Sequence, residues 1–448
     1  MGIFKAYDVR GIYGSELDEN IAYRIGYFLP GLVGAKEIVV GHDTRLSSPS
    51  LFEAFTKGVC DSGNDVVSLG LATTPFVYYA TVKLHADCSV QITASHNSKE
   101  YNGFKISKKD AIPMGGETGL KDLEKLVMSD KETPVAENRG TIRNKKLYSQ
   151  YKAFLKRYMS DYTNLKISFD LSSGMANLFA KDVFGKDKFK YINDSLDGSF
   201  PSHEPNPLIP QNCIQLAESV MANSSDVGVI YDGDADRVVF VDDRGRFIQP
   251  DYITSLIGFY YKHFLGEEGR NVVVDIRTSK STTDYLKKEG FNPIIWKVGH
   301  SFAKLKIRET DALFGDELAG HYYFKDFFWC DSGMFASILV LNTVAYLKSE
   351  GKKLSDFIDE IVAYVNSGEV NFKLENKDAA IEALKNEYLP DAGTVYDFDG
   401  YRIEYSSWWF SIRKSNTEPY LRLIVEAKDK AKFDENFGKI KSIIEKFK

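Results

Sequence analysis

The chain has 448 residues, 43% hydrophobic and 27% charged, the balance of an ordinary folded protein, which excludes disorder as its main state. Lysine and arginine total 57 against 63 aspartate and glutamate, a net charge of −6 that argues against a general nucleic-acid binder but leaves room for local basic clusters that take a small anion. The start, MGIFKAYDVRG, has no long apolar run, so no signal peptide is expected. The longest apolar stretch, residues 334–347, is interrupted by Ser337, Asn342 and Thr343 and predicts a core helix, not a membrane span. Cys60, Cys88, Cys213 and Cys330 lie far apart with no C-x-x-C, a spacing that fits neither a disulfide framework nor a zinc site. Together these features predict a cytoplasmic protein with no membrane or nucleic-acid partner.

Three segments share one pattern: a β-branched run, a polar turn holding an aspartate, a helical stretch and another strand. The first runs through Glu37-Ile38-Val39-Val40 and Gly41-His42-Asp43. Leu51, Phe52, Phe55 and Val59 then recur at helical spacing before a strand at 66–69. The second starts at Leu165-Lys166-Ile167-Ser168-Phe169, meets Asp170, and has Ser172-Ser173-Gly174 opening a helix. The third passes from Val272-Val273-Val274 through Asp275 and a helix near Leu286 to Pro293-Ile294-Ile295-Trp296. Strands alternating with helices predict parallel or mixed α/β layers, and three occurrences predict a structural repeat. The C-terminal part reads differently. Residues 401–405 and 421–425 alternate as half-buried strands, and a helix follows with Phe433, Phe437, Ile440, Ile443, Ile444 and Phe447. Boundaries near Lys146, Pro250 and Asn371 give four domains: three related α/β domains (1–146, 147–249, 250–370) and a C-terminal α+β domain (371–448).

The strongest chemical signal is Asp232-Gly233-Asp234-Ala235-Asp236-Arg237, set between the apolar runs 227–231 and 238–241. Three carboxylates at alternate positions of a short turn can converge on one point. At ~4 Å and an effective dielectric near 20, each pair repels by about 4 kcal/mol. A hard divalent cation with oxygen ligands removes that repulsion. An EF-hand loop is excluded, because its sixth position would be Arg237 instead of glycine and its twelfth Asp243 instead of glutamate.

Thr93-Ala94-Ser95-His96-Asn97, followed by Tyr101-Asn102-Gly103-Phe104-Lys105, comes just after the apolar Val90 and Ile92. That places it on a loop at a strand end, where the Ser95 hydroxyl can face a cleft as nucleophile or phosphate carrier and Lys105 can stand opposite it. Trp296-Lys297-Val298-Gly299-His300-Ser301 and Gly315-Asp316-Glu317-Leu318-Ala319-Gly320-His321 each put a histidine beside glycine after an apolar segment. Neither has helical zinc spacing, and Glu317 offers two acceptor oxygens for sugar hydroxyls. Arg413-Lys414-Ser415-Asn416-Thr417-Glu418-Pro419 makes a phosphate cradle, with the planar fork of Arg413 suited to bidentate binding. Two further arginines stand in Tyr7-Asp8-Val9-Arg10-Gly11 and Asp43-Thr44-Arg45. An acidic metal turn, a loop serine and an anion cradle together suit phosphoryl transfer between domains. The absence of Walker A and G-x-G-x-x-G weakens a kinase or dinucleotide reading.

In chain order, Y-D-V-R-G, T-A-S-H-N with Y-N-G-F-K, D-G-D-A-D-R, G-H-S, E-x-x-G-H and R-x-S-N-T-E-P resemble the motifs of the α-D-phosphohexomutases, from Tyr7 to about Val425. S-N-T-E-P resembles the phosphomannomutase/phosphoglucomutase type, whereas phosphoglucosamine mutases, the alternative within the family, carry S-G-T-E-P. The resemblance implies four domains around a central cleft, monomeric or dimeric, acting on sugar phosphates: hexose 1-phosphate and 6-phosphate interconvert, for mannose or glucose, through a hexose 1,6-bisphosphate. It implies that Ser95 is phosphorylated and that Asp232, Asp234 and Asp236 bind Mg²⁺ together with the Ser95 phosphate. Arg10 and Arg237 would support the phosphoserine, and Lys105 and His300 would be acid/base candidates. Arg277, Glu317 and His321 would face the substrate, and Arg413, Ser415, Asn416 and Thr417 would hold the phosphate that is not reacting. Three positions depart from the family pattern: Ser98 replaces a proline, Ala319 a serine and Asp316 a glycine. The rival from another class is a Mg²⁺-dependent sugar phosphatase, which needs an activated water and no cradle that accepts both ends of the substrate.

Overall fold

The computed structural model describes residues 2–415 and 420–448. Its strands form four separate sheets, and the first three share one plan. A first strand leads to an aspartate, a helical crossover returns a second strand parallel to it, and a third strand lies parallel on its other side. A hairpin then adds an antiparallel fourth. In the first sheet these are Glu37–His42, Asp65–Leu71, Cys88–Ile92 and Tyr101–Lys108. In the second they are Ile167–Asp170, Lys190–Ile192, Val227–Tyr231 and Val238–Asp242. In the third they are Asn271–Asp275, Asn292–Trp296, Phe314–Glu317 and His321–Phe324. The expected repeat is therefore present. The first strands of the first and third repeats carry Val/Ile runs, as strands covered on both faces require, and the second, Ile167–Asp170, is buried throughout. In the first sheet an extra strand, Val9–Ile12, pairs with Tyr101–Lys108 and sets Arg10 opposite Gly103.

The aspartate after each first strand folds back on the residue two positions on. Asp43 accepts from the Arg45 amide (3.0 Å) and Nε (3.1 Å), and Asp275 from the Arg277 amide (2.6 Å) and Nη2 (2.6 Å). Asp170 accepts from the Ser172 amide (2.8 Å), and with no arginine there its carboxylate takes His203 Nε2 (3.1 Å) and Asn193 Nδ2 (3.0 Å) instead. The helix expected to open at Gly174 is reduced to a 3₁₀ turn, Met175–Leu178, and the short helix Ala180–Phe184. The cause is tertiary. Ser172 and Ser173 take left-handed backbone (φ 50°), and the Met175 amide donates to the Gly233 carbonyl (2.8 Å), which ties the segment to the acidic turn.

The fourth unit is an antiparallel sheet containing the expected strands, as Tyr401–Glu404 and Tyr420–Ala427, and covered by the helix Lys430–Glu445. Between them runs Trp408–Lys414, which the sequence pattern did not reveal. This unit docks on the third through buried polar groups. Arg402, stacked 3.7 Å from the Trp409 ring, donates to the carbonyls of Ile276 (3.0 Å) and Thr278 (2.6 Å). Glu426 accepts from Ser279 Oγ (2.5 Å) and the Lys280 amide (2.8 Å). The expected core helix is Gly333–Ser349; Tyr231 and Tyr162 of the second unit reach it at Ser337 Oγ (2.8 Å) and the Ile338 carbonyl (3.0 Å). One apolar cluster runs through the first three units, which fixes their loops relative to one another. All four cysteines are buried and free, and among the described residues no helix is long and apolar enough to cross a membrane.

Although burial opposes it, the Asp170 carboxylate holds the His203 imidazole above the usual histidine range. A raised folded value means that the pair stabilises fully below the unfolded value of about 6.5 and loses its contribution as pH rises through the folded value. His203→Gln should therefore lower the urea midpoint clearly at pH 5.5 and little at pH 9. An equal loss at both would show that the pair does not depend on the imidazolium.

Candidate active site

The hairpin between third and fourth strands carries a motif in each of the three repeats: the serine loop 93–100, the acidic turn 232–237 and the glycine-flanked turn 318–320. The three tips meet. Ser95 Oγ donates to Asp232 Oδ2 (2.8 Å), and Arg237 Nε donates to His321 Nε2 (2.9 Å). The first two loops touch backbone to backbone, since a Cβ on Gly233 would lie 2.4 Å from the Ser95 carbonyl oxygen.

Ser95 is buried and holds left-handed backbone (φ 50°), a conformation that costs an L-residue about 1–2 kcal/mol and persists only when its surroundings enforce it. The enforcing groups are named hydrogen bonds. The Ser95 amide donates to Thr93 Oγ1 (2.9 Å), which donates to Asp43 Oδ2 (2.6 Å). Arg10 Nη1 donates to the Ala94 carbonyl (2.6 Å) and Asn97 Oδ1 (2.7 Å), and its Nη2 pairs with Asp8.

Asp232, Asp234 and Asp236 are all buried, with carboxylate oxygens from the three within 4.8 Å of one another. Lys105 Nζ donates to Asp234 Oδ2 (2.6 Å) and Asp236 Oδ2 (2.5 Å), and Thr74 Oγ1 also donates to Asp234 Oδ2 (2.5 Å). The carboxylates are thus unequal. Burial and the negative Asp234 and Asp236 push Asp232 well above the carboxylate range. Against the same burial, Lys105 and Thr74 hold Asp234 below it. Lys105 is in turn held above the usual lysine range, because the attraction of Asp234, Asp236 and Asp232 outweighs burial. Among the described residues Asp234 Oδ1 and Asp236 Oδ1 are buried without a hydrogen-bond partner. An all-oxygen donor set with excess negative charge and unused buried lone pairs fits a hard divalent cation.

Beside this centre, His321 Nδ1 lies 2.7 Å from Asp331 Oδ2, and the His300 and His321 rings are 6.0 Å apart. Burial and the nearby Lys304 charge hold His300 well below the usual histidine range, so it is neutral at pH 7. Glu317 is buried, accepting from the Gly299 amide (2.5 Å) and bonded to Tyr323 Oη. These bonds set its carboxylate, while Asp316, on the opposite face of the strand, is raised well above its range by burial and by Asp275 and Asp251. Arg277, paired with Asp275, also reaches Glu369 (3.5 Å), which pairs with Arg422 (2.9 Å). Arg413 is buried 3.6 Å from Asp399, and burial together with the charge of Arg277 lowers its pKa. Ser415 follows on the same strand end, its amide donating to the Tyr420 carbonyl (2.9 Å). Asn416 and Thr417 lie outside the described residues. The structure therefore gathers Ser95, Lys105, Arg10, Arg237, the three aspartates, His300, Glu317 and His321 in one place. Arg277 and Arg413 form a second, cationic group where the third and fourth units meet.

The sequence matches phosphoglucomutase/phosphomannomutase alpha/beta/alpha domains I, II and III over residues 1–133, 147–245 and 249–364, and the C-terminal domain of that family over 369–440. It is 38% identical to a phosphomannomutase of Escherichia coli, covering 95% of each chain. It is 36% identical to a phosphomannomutase of Methanocaldococcus jannaschii, covering 99% of this chain and 98% of the relative. A crystal structure of a phosphoglucomutase/phosphomannomutase family protein from Burkholderia thailandensis superposes with a TM-score of 0.88 at 29% identity, over 99% of this chain and 96% of that one.

Sequence reasoning gave no role to Thr74, Lys304, Asp331 or Arg45. The D-x-R spacing, shared by Asp43-Thr44-Arg45 and Asp275-Ile276-Arg277, was the available signal for Arg45. Wholly buried Arg45 donates from Nε to Asp43, from Nη1 to the carbonyls of Ser98 (2.6 Å) and Tyr101 (3.1 Å), and from Nη2 to those of Ser95 (2.8 Å) and Asn97 (2.6 Å). It thereby fixes the loop that Ser98 leaves without a proline. A lysine ammonium cannot span these acceptors. With bonds from a charged donor worth about 1.5–3 kcal/mol, Arg45→Lys should lower the unfolding free energy by about 3 kcal/mol, read from the urea midpoint. An unchanged midpoint would show that the loop holds itself.

Proposed function

The chain belongs to the phosphoglucomutase/phosphomannomutase family and is a phosphohexose mutase, and from that premise we propose how its residues carry a phosphoryl group between O1 and O6 of a hexose. Ser95 is the carrier. The observation that supports this most directly is the Ser95 hydroxyl, held in strained backbone 2.8 Å from the acidic turn at the junction of two units. Phosphoserine 95 gives its phosphoryl group to the 6-hydroxyl of a hexose 1-phosphate: the bond from phosphorus to O6 forms, the bond to Ser95 Oγ breaks, and a hexose 1,6-bisphosphate results. After the sugar turns over, Ser95 recovers the group from O1. The names of the relatives favour mannose phosphates as the substrate pair, with glucose phosphates as the second.

Asp232, Asp234 and Asp236 would hold Mg²⁺ together with a phosphate oxygen of Ser95, where the ion would neutralise charge on the transferring group. Lys105, kept charged by the same carboxylates, stands against that charge and is the donor of the pair. Neutral His300 is fit to accept the proton of the attacking hydroxyl. Arg10 and Arg237 steady the Ser95 loop and Asp232. Glu317 and His321 face the sugar with Arg277. Arg413 and Ser415, with Asn416 and Thr417, hold the phosphate that is not reacting, at either end of the sugar.

Incubation with glucose 1-phosphate and a trace of the bisphosphate should yield glucose 6-phosphate and no free phosphate; release of phosphate would indicate a hydrolase. Ser95→Ala should lower turnover by more than about 10³-fold while sugar-phosphate binding stays measurable. Near-normal rates in that variant would reject Ser95 as carrier. Chelation should abolish turnover, with recovery on adding Mg²⁺. Arg413→Ala should cost about 3 kcal/mol, roughly 10²-fold in kcat/KM, by the scale of losing one charge-stabilising donor. An unchanged kcat/KM would remove Arg413 from the phosphate site.

A further inference from the structure

We propose that Asp331, backed by Lys304, is a positioning residue for the phosphoryl-transfer site: it fixes the tautomer of His321 and through it the aim of Arg237 at the acidic turn. The proposal rests on the placement of that site at Ser95 and goes beyond it. Asp331 ends the two-residue strand Cys330–Asp331, wholly buried. Its Oδ1 lies 2.7 Å from Lys304 Nζ and its Oδ2 2.7 Å from His321 Nδ1. Lys304 is itself fully buried, donating to Tyr78 Oη (2.8 Å) with its ammonium 4.0 Å from the centre of that ring.

The other face of the imidazole decides the proton's place. Arg237 Nε is 2.9 Å from His321 Nε2, and a guanidinium nitrogen only donates, so Nε2 must be the acceptor. A neutral imidazole then carries its hydrogen on Nδ1, the nitrogen 2.7 Å from the Asp331 carboxylate; the contact is one of charge and dipole, since among the described residues neither Nδ1 nor the carboxylate has an aligned hydrogen-bond partner. On the far side, Arg237 Nε lies 3.9 Å from Asp232 Oδ2, the oxygen that takes the Ser95 hydroxyl (2.8 Å), and the Arg237 amide donates to Asp232 Oδ1 (3.1 Å). A single path of charge and hydrogen bonds thus links Lys304, Asp331, His321, Arg237, Asp232 and Ser95, and it joins all three repeats. The backbone follows the same line, with an antiparallel bridge between Arg237 and His321.

A competing arrangement uses the same atoms. Asp236, His321 and Asp331 place ligand atoms within 4.8 Å of one another and could hold a second metal ion sharing Asp236 with the first. The Arg237 donor argues against it, because Nδ1, the nitrogen facing both carboxylates, carries a hydrogen and has no lone pair to offer. The Lys304 ammonium on Asp331 adds a repelling charge.

Three measurements on the full chain decide the matter. Nitrogen-15 spectra of histidine-labelled protein, with only 7 histidines to assign, should show His321 protonated on Nδ1; protonation on Nε2 would overturn the proposal. Mn²⁺ titration should saturate at one ion per chain, and two ions would establish the second metal site instead. Asp331→Asn should lower kcat by at least about tenfold with KM changed less than about twofold, because the neutral amide removes the negative charge that lies 2.7 Å from both His321 Nδ1 and Lys304 Nζ. Asp331→Glu should restore part of kcat. A fall in thermal stability with kcat per folded enzyme unchanged would mean a purely structural role and reject the proposal. If Asp331→Asn does not fold, Lys304→Met with Asp331→Asn removes both buried charges together and should show the same kcat loss. Wild-type enzyme without mutase activity would overturn the Ser95 reading, while the tautomer and the ion count would still judge the path on their own.

Discussion

Three carboxylates held together away from water are the constraint around which the rest is arranged. Asp232, Asp234 and Asp236 leave no room for solvent to screen them, and one lysine and one threonine hydroxyl are the donors from the first unit that meet Asp234 and Asp236. The imbalance falls unequally on them: burial and its acidic neighbours raise the pKa of Asp232, while Lys105 and Thr74 lower that of Asp234. Lys105 and Thr74 belong to the first repeat and the carboxylates to the second, so neutralising the turn is also what locks the two repeats. The Ser95 hydroxyl sits at that seam, on backbone fixed by Thr93, Arg45 and the close approach of Gly233.

The threefold plan shows how one topology yields three chemistries. The same hairpin offers a hydroxyl in the first repeat, carboxylates in the second and a glutamate–histidine pair in the third. The turn after the first strand diverges in the same way. In the first repeat its arginine clamps the serine loop through carbonyls. In the third, Arg277 is turned toward Glu369 of the C-terminal part, and in the second a serine leaves the aspartate to His203. Loops at equivalent places on related sheets converge because the sheets share one core, so substitution at a few hairpin tips changes chemistry without changing the scaffold.

What was legible in the sequence was what is contiguous. The acidic turn, the serine loop and the alternation of strands with helices each fit within a short window. The strand Trp408–Lys414 was hidden because almost its whole length is buried, so period-two alternation is lost. The helix after Gly174 failed because a contact with Gly233, far along the chain, outweighs local propensity. Asp331 and Lys304 carry no motif. Their meaning lies in partners on other strands and helices, and a buried Lys–Asp–His path is invisible until the chain is folded.

The two ends of the site differ in how closely their charges are paired, and this bears on where the proposed sugar phosphate is held. At Ser95 the carboxylates of Asp234 and Asp236 are met closely by Lys105 (2.6 and 2.5 Å), whereas Arg277 and Arg413 lie close enough for the first to lower the pKa of the second. Their outer partners are loosely held, Glu369 at 3.5 Å from Arg277 and Asp399 at 3.6 Å from Arg413, against 2.6 Å for the inner Arg277–Asp275 pair. Among the described residues Arg413 Nε is buried without a hydrogen-bond partner. A desolvated arginine with a distant carboxylate partner, as Arg413 is, gains more from a phosphate dianion than a well-paired one does, because less existing attraction is given up on binding. In the proposed reaction the phosphate that is not reacting would then have one favourable place, indifferent to whether that phosphate stands on O1 or O6. The proposed carrier role of Ser95, met by both ends of the same sugar, requires that indifference.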